Sequence, residues 1–233
     1  MPCLLGTLDI SISHKTKSPL ANFIFTNYRM VTTSDMLKIL LKEGRPLKEF
    51  KKGDIIKVDN KMVKGYSYTL EEDPGTNLAF KPDLSPAEIL RLGAFEGRYI
   101  NDCLTEYPAE WFIDAIALDK LRPEKADTRV NAFQIYSRQP LSVWRKNDWA
   151  PHKSGKGTLG SPQTNPDERG WFQWYCRYWL GRRIPALDQV QIKRWSAFNR
   201  HIGQIKKNCK PSDLECRPRQ RQALLHWAHN PFI

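Results

Sequence analysis

Between Gly170 and Gly181 the chain places six aromatic residues in nine positions: Trp171, Phe172, Trp174, Tyr175, Tyr178 and Trp179. At helical spacing Trp171, Trp174, Tyr175 and Tyr178 share one face. A face that broad and apolar has to be covered, so it is read as the core of a helical cluster packed around it. Phe172, Arg177, Trp179, Arg182 and Arg183 are the members expected on the outside. There Trp179 can offer a stacking platform to an unpaired base, worth roughly 1–3 kcal/mol.

Three helices are expected here: Asp167–Leu180 stopped by Gly181, Asp188–Lys207 stopped before Asn208, and Pro218–His229. Before them, residues 151–167 are rich in Gly, Ser, Pro and Lys without periodicity and read as a loop. Gly155-Lys156-Gly157-Thr158 lacks the spacing of a phosphate-binding loop, and no strand leads into it.

The N-terminal region reads differently. Leu4–Ser13, Asn22–Val31 and Lys61–Leu70 are strand candidates with β-branched and aromatic residues, and Lys51-Lys52-Gly53-Asp54 reads as a hairpin or loop before Ile55–Val58. A short helix over Asp35–Glu43, with Ser34 as cap and Gly44 as stop, interrupts them. Glu71-Glu72-Asp73-Pro74-Gly75 is a turn signal. In the middle, Ser85-Pro86-Ala87-Glu88 combines a cap, a first-turn proline and a capping-box acid. Further helices are expected over Ala109–Leu118 and Leu141–Asn147. The expected fold class is therefore α+β: a strand-rich N-terminal region over residues 1–82, a helical middle segment over 83–150 with a possible pocket, and a basic helical region over 151–233.

Charge divides the chain sharply. Residues 1–137 hold 19 Lys+Arg and 19 Asp+Glu, while residues 138–233 hold 18 Lys+Arg against 6 Asp+Glu. The whole net charge of +12, and seven of the eight tryptophans, fall in that second stretch. Such a field draws in polyanions, and phosphate neutralisation makes nucleic acid the natural partner. The predicted helix 188–207 sharpens this. Ile192, Trp195, Phe198, Ile202 and Ile205 form one stripe, with Lys193, Arg200 and Lys207 opposite and Gln189, Ser196 and Gln204 beside them. No acid occurs between Asp188 and Asp213. Cations in such a row suit phosphates, and Gln or Arg suits base edges. The last helix repeats the arrangement, with Leu224, Trp227 and Ala228 inside, Arg219, Gln222 and His226 outside, and Arg217 and Arg221 flanking its start.

The expected nucleic-acid contacts are thus Arg177, Trp179, Arg182, Arg183, Lys193, Arg200, Gln204, Lys207, Arg217, Arg219 and Arg221. A candidate acid/base set lies in the neutral region, where Glu96, Asp102 and Glu106 crowd around an irregular turn at Gly93 and Gly97. A carboxylate beside a basic, aromatic cleft is what a base-processing enzyme needs. Cys176, Cys209, Cys216, His201, His226 and His229 are residue types that ligate zinc, but no paired short spacing occurs among them. No metal or other cofactor is expected.

Five cysteines without regular spacing fit reduced thiols. No run is long and apolar enough to span a membrane, and no leader is evident, so an intracellular protein, cytoplasmic or nuclear and not secreted, is expected.

Three blocks, Leu84–Tyr99, Gly170–Arg183 and Cys216–Leu225, together resemble a family of uncharacterised proteins found in viruses and simple eukaryotes. That resemblance brings no activity, cofactor or site. The leading expectation is a nucleic-acid-binding protein, DNA more than RNA. The alternatives are a base-processing or base-modifying enzyme and a basic scaffold for an acidic protein.

Overall fold

The computed structural model describes residues 32–233, and helices dominate it. Helix α1, Thr33–Glu43, opens on a capping box in which the Thr32 hydroxyl accepts from the Asp35 N–H and the Asp35 carboxylate accepts from the Thr32 N–H. The cap thus lies at Thr32 rather than Ser34. Strands β1, Ile55–Asp59, and β2, Lys64–Thr69, pair antiparallel with Ile56 opposite Tyr68 and Val58 opposite Tyr66. Ile56, Val58 and Tyr68 turn inward, while Ile55, Lys57 and Asp59 face solvent. Asn60 Oδ1 closes the turn by accepting from the Met62 and Val63 N–H groups.

This hairpin is the only sheet among the described residues, which overturns the expected α+β class with a strand-rich stretch 1–82. The predicted strands Leu4–Ser13 and Asn22–Val31 lie outside the described residues. From residue 71 to 84 the chain is irregular, and its backbone is satisfied by helix ends instead of a third strand. The Glu71 and Glu72 N–H groups donate to Gly181 O, Gly75 N–H to Trp179 O, and Asp83 N–H to Ala228 O. Pro74 and Pro82 supply no donor for a ladder there.

The middle helices follow the sequence closely. Helix α2, Pro86–Arg91, carries the Ser85–Glu88 capping box; α3 spans Ala109–Ala117 and α4 Leu141–Lys146. Helix α5, Trp171–Leu180, starts later than the expected Asp167 and stops at Gly181, whose φ of 119° a side chain resists. The predicted helix 188–207 is two: α6, Pro185–Ala197, and α7, Asn199–Asn208. At Phe198 tight bonds from Phe198 N–H to Trp195 O and from His201 N–H to Phe198 O form the joint. Helix α8 runs Pro218–His226.

One continuous apolar core reaches from Met36 to Ala228, with α5 inside it. Trp171, Trp174, Tyr175 and Tyr178 are buried as expected, but so are Phe172, Arg177 and Arg182, which the sequence placed outside. Phe80, from the irregular segment, lies within 4.8–6.0 Å of the rings of Trp174, Tyr175, Tyr178 and Trp195. Cys103 and Cys176 are buried thiols, whereas Cys209 and Cys216 are joined as a disulfide across the α7–α8 connection. That corrects the expectation of reduced thiols at this pair. Among the described residues no helix is long and apolar enough to cross a membrane.

Candidate functional site

Where α6 meets α7, the start of α5, α8, the Phe95 turn and residues 135–149 enclose an open cavity of about 700 Å³. That volume suits a nucleotide-sized molecule. Its walls are aromatic: Phe95, Trp144, Trp149, Trp171, Phe172, Phe198 and Trp227 all line it. These rings brace one another. Trp171 stacks on Trp227 at 4.8 Å, and Phe198 stacks on the same indole at 4.1 Å. Phe95 is held between Tyr99 at 4.3 Å and His226 at 3.9 Å, nearly parallel to the latter. Phe95 and Glu96 both have positive φ, 50° and 59°, so the turn that delivers Phe95 holds two side-chain-bearing residues in the left-handed region. Gly93 and Gly97 flank it, and a Cβ on Gly93 would meet Val130 O at 1.9 Å.

Arginines edge this cavity. Arg194, Arg200 and Arg219 line it. Arg194 is held by Gln191 Oε1 and Asp148 O and lies 5.5 Å over the Trp227 ring. Arg200 and Arg219 are exposed and make no ion pair with any described residue. Lys193 and Lys207 are exposed as well, and so is Gln204, whose side-chain oxygen accepts from Gln220. Arg217 is half-buried, with φ at 57°, and donates to Gln220.

Other sequence-chosen residues are spent inside the fold. Arg177 donates to Glu106 (2.6 Å) and Asp167 (2.9 Å), and Arg182 makes two bonds to Asp167 (2.9 and 2.6 Å). All four of these charges are buried. Burial alone would raise the Asp167 pKa, but the guanidinium groups of Arg182 and Arg177 overcome it and hold the carboxyl below its usual range. Arg221 is likewise buried and donates to the carbonyls of Asp213, Cys216, Pro231 and Ile233. Arg183 donates to the carbonyls of Thr76, Asn77, Tyr178 and Arg182, and Trp179 packs edge-on against Trp111.

The three candidate carboxylates behave similarly. Glu96 is buried and accepts from the Ser137 and Arg138 N–H groups; Asp102 pairs with Arg169 and accepts from the Lys61 N–H; Glu106 belongs to the Arg177 cluster. None of them lines the cavity, and the carboxylate that does is Asp148. Its oxygens accept from the Thr158 N–H and hydroxyl and from the Leu159 N–H, so it secures the 151–167 loop. Among the described residues no three His, Cys, Asp or Glu side chains are grouped to hold a metal.

Two residues expected on the outer face of α8, Gln222 and His226, are buried in the cavity wall instead. Burial pushes the His226 imidazole down to about 3, so it is neutral near pH 7. Residues the sequence did not single out as contacts, Phe95, Trp144 and Arg194, complete the wall. Only the glycines around Phe95 hinted at its role.

Fold and site together define a helical protein with an aromatic cavity opening beside a cationic helical surface. No protein-family model, curated protein or solved structure matches the chain.

Proposed function

We propose that this protein binds nucleic acid, DNA in preference to RNA, with phosphates on the α6–α8 surface and one unpaired base inside the aromatic cavity. One observation carries the reading: a ring-lined cavity of nucleotide size opens beside exposed arginines that no carboxylate of the described residues pairs with. Between residues 189 and 212 there are six basic residues and no acid. Arg200 and Arg219 join the cavity edge to this cationic surface, while Lys193 and Lys207 extend it. Stacking of an extruded base on tryptophan and phenylalanine supplies affinity that depends little on sequence. The phosphate contacts supply the salt-dependent component.

The test is a salt titration of binding to single- and double-stranded DNA and RNA, beside a Lys193→Ala/Arg200→Ala/Lys207→Ala variant. Affinity is expected to fall steeply between roughly 50 and 200 mM salt. The variant should lose about 2 units of the log–log slope, from about 0.7–0.9 per phosphate contact. Salt-independent binding, or no binding to either polymer at low salt, overturns the proposal.

A further inference from the structure

The floor of the cavity carries a polarity that discriminates among bases. Its buried lining residues are Phe95, Trp171, Phe172, Gln222 and His226. The Trp171 indole N–H is committed to Gln191 O. The Gln222 amide is oriented by its neighbours: its oxygen accepts from the Phe133 N–H at 3.0 Å, so its nitrogen is the end facing Gly93 O and the His226 ring. At 2.9 Å from His226 Nε2, that NH₂ donates. The Phe95 N–H points at the same nitrogen from 3.2 Å. Two donors aimed at Nε2 require it to be the unprotonated nitrogen, so the ring proton sits on Nδ1. His226 is 8% exposed, and its Nδ1–H has no partner among the described residues. Among the side chains of these five residues it is the uncommitted polar group, and it is a donor. Trp144, which also lines the cavity, has a buried indole N–H without a partner, and this too can only donate.

Resting on the nucleic-acid reading above, we infer that the cavity selects a base with a carbonyl at pyrimidine C4 or purine C6, as in guanine, thymine or uracil, through a hydrogen bond from His226 Nδ1–H. On adenine and cytosine the corresponding position carries an amine. In that pose two donors face each other in a desolvated site, and the His226 N–H is left unpaired. His226 acts here as a specificity residue, held in register by Gln222 and by its stack on Phe95.

The test uses ligands of equal ring size, so that stacking stays comparable. Wild-type protein is titrated with short single strands of deoxyuridine, deoxycytidine and 2-pyrimidinone deoxyriboside, the last lacking any group at that position. Deoxyuridine is expected to bind about tenfold more tightly than deoxycytidine, with the pyrimidinone between them. In His226→Phe, which keeps a ring against Phe95 but removes the donor, the three strands should bind alike while the salt slope stays unchanged. Equal affinity of wild type for deoxyuridine and deoxycytidine, with the salt dependence intact, overturns this inference and leaves nucleic-acid binding standing. Tighter binding of deoxycytidine overturns it equally. Absence of binding to every strand at low salt removes the underlying reading as well. Because the ligand series needs no variant, the inference stays testable if His226→Phe fails to fold.

Discussion

Replacing Asp167 with Asn should be among the most damaging single changes in the protein. Four buried charges, Arg177, Arg182, Glu106 and Asp167, sum to zero, and Asp167 alone bridges both guanidinium groups. The substitution keeps the shape but leaves a net positive charge with no compensating acid inside the core. Breaking a buried pair this way costs about 3–5 kcal/mol. For a domain of this size each kcal/mol moves the melting temperature by about 2–4 °C, so a fall of roughly 6–20 °C is expected.

The assay is urea or thermal unfolding of four proteins: wild type, Asp167→Asn, Arg182→Met and the double variant. The double variant restores neutrality, because Arg177 and Glu106 remain as a pair. It should be more stable than the sum of the single losses predicts, by at least about 1 kcal/mol. Additive losses would refute the reasoning, since they would mean the cluster is not electrostatically coupled. Lowering the pH acts in the same direction as Asp167→Asn. The folded-state pKa of Asp167 is depressed, so its stabilisation is present above the unfolded carboxylate value and is lost as pH falls through the folded one.

Three further outcomes follow from the geometry. Burial lowers His226 to about 3 while an unfolded histidine titrates near 6.5. Below about pH 6.5 the unfolded state takes up the proton and the folded state does not, so wild type should lose about 1.4 kcal/mol per pH unit relative to His226→Phe until about pH 3; parallel stability–pH curves for the two would contradict this. Gly181→Ala should destabilise strongly, because its Cβ would lie 2.0 Å from Glu72 O at a φ of 119°, and unchanged urea unfolding would rule out that contact as rigid. Reducing the Cys209–Cys216 disulfide, which closes a short loop with a separation of 7, should lower stability by about 2 kcal/mol, and a melting curve unaffected by reductant would show the bridge adds nothing.

What could be read from the sequence was local. The Ser85–Glu88 capping box and the stop at Gly181 depend on residues a few positions apart, and both formed as read. The arginines failed that kind of reading because their partners are remote: Arg177 meets Glu106 across 71 positions. A guanidinium in a sequence carries no sign of which carboxylate will bury it. The reading of α8 failed for a related reason. Polarity alone put Gln222 and His226 outside, but they hydrogen-bond to backbone and to each other, which lets polar groups enter the core. The joint at Phe198 escaped because the apolar stripe passes through it without a Gly or Pro. The cavity gathers residues from several separate stretches, so no single window of sequence displays it.

The crowding of indoles around that cavity has an optical consequence. Four of the eight tryptophans, Trp144, Trp149, Trp171 and Trp227, line its wall. Indole emission follows the polarity and the π-contacts around the ring, so a planar guest would alter half of the protein's tryptophans at once. The molecule thus carries its own unlabelled reporter of occupancy, and changes in intrinsic fluorescence can separate a guest inside the cavity from a polyanion held only at the cationic surface.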